Sequence, residues 1–202
     1  PEPEEEEVEW IKNYIVEYTK AKTILWGNPK DRDIKWEWNY PIRFLKRIRR
    51  SQKLKNENPE STNSYKLKTY FLRTYNRFFS KQYYSNSTPY TSGKEDFVYF
   101  PLHYPKDSQL TLRGKPFMDQ ASIIETVARY VPYPYTLVVK EHPHARGWYK
   151  TSDIKKMASL PNVKLIHPFT NSHEIIPNAK GIIAINSSVG YEGIIYRKPV
   201  IT

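Results

Sequence analysis

The 202-residue chain contains no cysteine, which excludes a disulfide scaffold, a thiolate zinc site and a cysteine nucleophile together and fits a reducing compartment. No uninterrupted apolar run approaches the roughly 18 residues that a membrane-spanning helix needs. Three signatures of nucleotide and acyl chemistry are also missing: G-x-x-x-x-G-K-[ST], G-x-G-x-x-G and G-x-S-x-G. P-loop NTPases, dinucleotide dehydrogenases and hydrolases built on a nucleophile elbow thereby lose their main support. What is present is 39% hydrophobic residues, enough for a packed core in one ordinary domain or two small ones, which excludes disorder throughout. Lys and Arg number 32 against 21 Asp and Glu, a net charge of +11. The long-range field therefore favours anionic partners, whether nucleotide, nucleic acid or acidic lipid. The first residue is Pro1 rather than Met, and Thr202 falls inside the apolar run Lys198-Pro199-Val200-Ile201-Thr202. The sequence is expected to be a fragment of a longer protein.

The chain divides near residue 96. All five histidines lie beyond that point, and four of the five tryptophans lie before residue 39. Residues 10–95 hold 19 basic and 7 acidic side chains, a surplus of 12, behind an acidic lead of Glu2, Glu4, Glu5, Glu6, Glu7 and Glu9. Val8, Trp10, Ile11, Tyr14, Ile15 and Tyr18 recur at helical spacing, with glutamates in the first turn suiting the positive end of the dipole. That helix is expected to end by Gly27-Asn28-Pro29. A second basic helix is predicted over 42–55 and a third over 65–84. On the third, Lys66, Arg73, Arg77 and Lys81 fall on one side and Leu67, Phe71, Tyr75, Phe78 and Phe79 on the other. The plain reading is a helix packed on the neighbouring domain with its basic face solvated. A sharper reading lays the basic face of this helix against anionic lipid or polymer. Residues 85–95 are turn-formers without an apolar period and read as a linker. Two regions follow, a basic helical one over 1–95 and a second domain over 96–202.

From residue 97 the period changes. Strands are predicted over 97–100, 135–140, 163–166, 181–185 and 199–201, with helices over 117–130, 154–160 and 189–196 and a short helical piece at 172–176. This alternation gives an α/β fold, a Rossmann-like parallel sheet with right-handed crossovers and helices on both faces. Ligands in such sheets bind beyond the carboxyl ends of the strands.

Four of the five histidines stand at those ends: His103 after the first strand, His142 and His144 after the second, His167 after the third. Core packing alone does not explain that distribution. After the fourth strand comes Asn186-Ser187-Ser188-Val189-Gly190-Tyr191-Glu192. Its serines open a helix, where backbone N–H groups and the dipole favour a phosphate, although an ordinary N-cap would also put Ser187 or Ser188 there. Glu192, one turn on, could reach a ribose or be a solvated helix carboxylate. The proline of His142-Pro143 stiffens its turn, and the imidazole could contact a base, ribose or phosphate or be merely a partnered side chain. His103 and Asp119 are local candidates for cleft chemistry, and both could equally be structural. His142 and His144 are two residues apart, no H-E-x-x-H occurs and carboxylates are sparse nearby, so no metal is expected. Asp31-Arg32-Asp33 has the form of a manganese pair but lacks a flanking apolar strand and reads as a polar turn. Asn86-Ser87-Thr88 and Asn186-Ser187-Ser188 fit glycosylation sequons, which arise readily by chance.

Taken in order, Tyr99-Phe100-Pro101-Leu102-His103-Tyr104, Lys140-Glu141-His142-Pro143, the Asn186 to Glu192 turn and Lys198-Pro199-Val200-Ile201 resemble the capsule polysaccharide biosynthesis family over about residues 97–202. That family includes bacterial Kdo transferases of capsule export systems. The resemblance implies the C-terminal half of a GT-B glycosyltransferase, with two Rossmann-like domains facing a cleft. It implies transfer of a sugar from a nucleotide donor, often a CMP-linked acidic sugar, to a growing surface polysaccharide or lipid-linked acceptor. By likeness to bacterial sialyl- and polysialyltransferases, His142, Pro143, Ser187 and Ser188 would hold the CMP moiety, with Lys140 in the same binding turn. Glu192 looks like the helix carboxylate directed at the ribose. No metal or other cofactor is implied, since positive dipoles and basic side chains can stabilise the departing phosphate. The expected location is cytoplasmic, and the basic surface of 42–84 reads as a patch peripheral to the inner face of the plasma membrane that keeps the enzyme near lipid-linked acceptors. The chain departs from the sialyltransferase pattern twice: Glu95-Asp96 is followed by Phe97 instead of glycine, and Pro199 stands where the second glutamate of E-x7-E would fall. The catalytic base and the acceptor site are therefore expected outside this segment. CDP-polyol phosphotransferases of the teichoic acid type and sugar-nucleotide 2-epimerases are the alternatives among enzymes. Outside enzymes stands a nucleic-acid-binding module using the Tyr and Phe interleaved with Lys and Arg between residues 42 and 84, which leaves the ordered turns unexplained.

Overall fold

The computed structural model describes residues 4–22, 63–84 and 95–202. The helix predicted over 42–55, the linker up to residue 94, Asp31-Arg32-Asp33 and Asn86-Ser87-Thr88 lie outside the described residues. Two helices, α1 (Glu5–Ala21) and α2 (Asn63–Ser80), precede a sheet of β1 (Phe97–Pro101), β2 (Thr136–Lys140), β3 (Val163–Ile166), β4 (Gly181–Ile183) and β5 (Val200–Ile201). All pairings are parallel, in the order β3-β2-β1-β4-β5. The fold is Rossmann-like, as the alternation of periods predicts.

Side chains of β1 point alternately to two cores, Phe97 and Tyr99 to one and Phe100 to the other, and all three are shielded from water. A parallel strand buried on both faces needs helices on both sides. On one face α3 (Gln120–Tyr130) and α4 (Thr151–Ala158) bring Ile124, Ile154 and Met157 against Phe100, Leu137 and Val139. On the other, α5 (Ser172–Ile175) and α6 (Ser188–Ile195) bring Ile175 and Val189 towards Tyr99, Val138 and Ile182. α3 starts later than the apolar period suggests. The Asp119 carboxylate accepts the Ser122 N–H at 3.2 Å and its hydroxyl at 2.7 Å, an N-cap that fixes the first turn at Gln120.

α6 approaches the sheet closely because Gly193 has no side chain. A Cβ there would lie 2.5 Å from Ile182 Cδ1 and 2.9 Å from Val200 Cγ2. Gly193→Ala should therefore cost about 2 kcal/mol in chemical denaturation, overpacking outweighing the gain in helix propensity. An unchanged midpoint would mean that α6 can slide outward without loss.

The orientation of α2 reverses the expected one. Leu67, Phe71, Leu72, Tyr75, Phe78 and Phe79 are exposed, and the polar side faces the α/β unit. Arg73 Nη2 and Arg77 Nε donate to the Arg146 carbonyl at 3.4 and 3.1 Å, and Asn76 Nδ2 donates to the Gly147 carbonyl at 3.1 Å. Asn76 Oδ1 accepts from the Thr151 N–H and hydroxyl at 3.4 and 3.2 Å. Just beyond the helix, the Tyr84 hydroxyl donates to the buried Glu141 carboxylate. The physical reason lies in residues 146–151, whose backbone groups need partners when a neighbour covers them. Guanidinium and amide donors supply those partners, and phenylalanine cannot.

Candidate active site

Strand order determines where a site can form. From β1 the chain runs to β2 and β3 on one side, while β4 and β5 lie on the other, so the carboxyl end of β1 is the switch point of the sheet. The turns after β2 and β4 flank it two strand spacings, or about 10 Å, apart. A cleft of about 970 Å³ opens there, lined by His103, Lys140, His142, Pro143, Ser187, Ser188 and Glu192 among others. Of the residues singled out from sequence, Asp119 and the strand-end His167 are not among those lining the cleft, and Asp119 serves elsewhere. It is exposed and occupied with capping α3.

His142 caps a short 3-10 turn whose first residue is Pro143, and its Nδ1 accepts the His144 N–H at 3.2 Å. That bond leaves the ring proton on Nε2. Burial first, then the charges of His144 and Lys140, push its pKa down to about 4, so at neutral pH it is an uncharged donor. His103 has its backbone clamped on both sides, the N–H donating to Gln120 Oε1 at 2.7 Å and the carbonyl accepting from the Tyr149 hydroxyl at 2.6 Å. Its Nε2 is buried without a hydrogen-bond partner among the described residues. Burial lowers the pKa of this ring, Asp107 opposing. A neutral imidazole with an uncommitted nitrogen at the switch point can take up or release a proton.

Beside it, Asn186 adopts a left-handed backbone with φ of 50°, and its Nδ2 donates to Gln109 Oε1 at 3.1 Å. That bond ties the turn after β4 to the loop after β1. Ser187 is the N-cap of α6, its hydroxyl oxygen accepting the Val189 N–H at 3.3 Å; the hydroxyl proton can still be donated. Ser188 begins the helix and is exposed in the cleft. Glu192 is not a solvated carboxylate: it is 8% exposed, and its Oε2 has no partner among the described residues. Burial raises its pKa, His173 and Lys140 opposing. Lys140 Nζ donates to the Thr170 carbonyl at 3.0 Å and to Ser172 Oγ at 2.9 Å. It thus fastens the loop after β3 and keeps a positive charge beneath the cleft.

Several lining residues were not anticipated. His173 replaces His167 as the fourth cleft histidine. His167 Nδ1 accepts the Phe169 N–H at 3.3 Å outside it, whereas His173 is buried with its Nδ1 2.9 Å from the Tyr196 hydroxyl and its ring 5.2 Å from that of Tyr18 on α1. Thr170, Asn171 and Ser172 also line the cleft, where the rule of strand ends points. Arg73 comes from α2 and lies 4.7 Å over the Trp148 ring; no sequence signal indicates it. Glu95 and Asp96 pair with Lys164 and Lys180 at 2.6 and 3.2 Å, at the amino end of the sheet and so away from the cleft. Among the described residues no group of three or more His, Cys, Asp or Glu could hold a metal, and no helix is long and apolar enough to cross a membrane.

Residues 41–202 match the family of capsule polysaccharide biosynthesis proteins. The chain belongs to that family. Protein FixF of Sinorhizobium fredii (strain NBRC 101917 / NGR234) is 35% identical to it over 109 residues, 52% of this chain and 26% of that protein, so the chain spans about a quarter of this curated relative. No solved structure matches. Membership of the family supports a role in polysaccharide biosynthesis.

Proposed function

We propose that the chain is the donor-binding domain of a glycosyltransferase that moves a sugar from a nucleotide, CMP in the first instance, to a growing surface polysaccharide or a lipid-linked acceptor. The observation that carries this reading is the convergence of the His142, His103 and Ser187-Ser188 turns, from adjacent strands, on one cleft at the switch point. In it the phosphate sits on the first turn of α6 and the serine hydroxyls, His142 donates from Nε2, and Glu192 accepts from the ribose. Lys140 contributes charge and holds the loop after β3. During transfer an acceptor hydroxyl forms the new C–O bond at the anomeric carbon as the bond to the phosphate oxygen breaks. CMP leaves with that electron pair and the hydroxyl proton passes to a base, for which His103 is the local candidate, its Nε2 lying shielded at the cleft. No metal is called for, since the α6 dipole and Lys140 meet the leaving charge. Arg73 and Arg77, two of the basic side chains a nucleic-acid module over 42–84 would use, are bonded to the Arg146 carbonyl.

Calorimetric titration with CMP, CDP, UDP and CDP-glycerol tests the reading. CMP should bind, and His142→Ala or Ser188→Ala should weaken it roughly tenfold, about 1.4 kcal/mol, with an unchanged circular dichroism spectrum. Binding of CDP-glycerol without CMP would favour a CDP-polyol phosphotransferase. Binding of none of them would overturn the assignment.

A further inference from the structure

The exposed side of α2 is a continuous row, Leu67, Phe71, Leu72, Tyr75, Phe78 and Phe79. Tyr75 packs on Phe79 at 4.5 Å between ring centroids, and Phe79 on Phe78 at 5.2 Å. Scattered apolar residues on a surface need no explanation, but a contiguous row does. The helix cannot roll to bury it, because Arg73, Asn76 and Arg77 hold the opposite side to residues 146, 147 and 151. The charge around the row is of one sign. Residues 61–84 contain no Asp or Glu, and of their basic side chains Lys68 and Lys81 are exposed on the described helix and the turn after it, while Arg73 and Arg77 face the α/β unit. Aromatic side chains on one face with lysines at the margin, whose long stems let the ammonium reach headgroups, are the chemistry of a helix lying in a membrane interface. A protein partner would call for acidic groups opposite these lysines, whereas an anionic bilayer offers them everywhere.

We infer that α2 lies flat on an anionic lipid surface, with Phe71, Phe78 and Phe79 among the upper acyl chains and Lys68 and Lys81 at the headgroups. Arg73 of the same helix lines the cleft from the side of α2 opposite the aromatic row. The inference rests on α2 and not on the nucleotide reading. Co-sedimentation of the chain with vesicles of equal phosphatidylglycerol and phosphatidylcholine, in about 0.15 M salt, tests it against vesicles of phosphatidylcholine alone. Binding should be roughly tenfold or more tighter on the anionic vesicles, and Lys68→Glu with Lys81→Glu should remove that preference. Phe71→Ser with Phe78→Ser keeps the charge and should lower anionic binding by at least roughly tenfold, with the melting curve and CMP titration unchanged. Equal binding by that double variant would assign adsorption to bulk charge and overturn the inference. No binding of the parent chain to either vesicle would overturn it as well. A dimer of the parent chain that the Phe variants dissociate would overturn it in favour of a second copy of the chain.

Discussion

A Gly147→Ala variant should lose about 3 kcal/mol of stability and free α2 from the α/β unit. Two effects add at this position. Gly147 has φ of 81°, a region that an L side chain enters only under strain. An added Cβ would also fall inside contact distance of the Arg73 carbonyl oxygen and 3.0 Å from Arg77 Cγ. The first obstacle is helix backbone and cannot turn aside, so α2 has to move. With it would go the bonds of Arg73, Asn76 and Arg77 and the cleft wall that Arg73 provides. Urea denaturation and limited proteolysis would report the change, with faster cutting within residues 63–84 of the variant. Gly181→Ala is the control, since its Cβ would meet nothing nearer than 3.6 Å and φ there is not positive. Equal midpoints and equal protection of α2 in all three proteins would show that the helix is not seated on Gly147.

How much of this was legible in the sequence depends on how local each cause is. The β1 run Phe97-Val98-Tyr99-Phe100 and its helical neighbours follow from period alone, because burial on both faces of a parallel strand removes the polar alternation. Strand ends then point to His103, His142, Ser187 and Ser188 without any side-chain geometry. Glu192 follows from its place one turn into α6. Asp119 shows the limit of residue type: a carboxylate before an apolar helix is an N-cap as readily as a base, and the bond to Ser122 decides. His167 and His173 both follow β3, but Lys140 tethers Thr170 and Ser172, and the path of that tethered loop selects His173. The reversal of α2 was out of reach. A helical wheel separates two faces, and which one packs depends on carbonyls some seventy residues further along the chain.

The same anchor should make stability depend on pH through Glu141. This side chain directly precedes His142, is 2% exposed, accepts from Tyr84 at Oε2 and has no partner for Oε1 among the described residues. Burial pushes its pKa up to about 7 from a usual 4.5, although the Tyr84 bond and the charges of Arg146, Arg77 and Arg73 oppose. Between those two values the folded chain keeps a proton that the unfolded chain has released. The contribution is therefore complete below the unfolded pKa and is lost as pH rises through the folded one, a span worth about 3 kcal/mol. His142 acts in the opposite sense. Its folded pKa is depressed to about 4, so its contribution is present above the unfolded histidine pKa and fades as the solution is acidified. The wild-type curve combines both, and a variant is needed to separate them. Glu141→Gln cannot ionise yet still offers an oxygen to Tyr84. From about pH 4 to pH 8 it should gain about 3 kcal/mol relative to wild type in urea denaturation, with His142 cancelling from the difference. A flat difference would mean that the three arginines keep Glu141 ionised throughout. α2 would then be held by a permanent buried ion cluster, and its seat would be insensitive to pH.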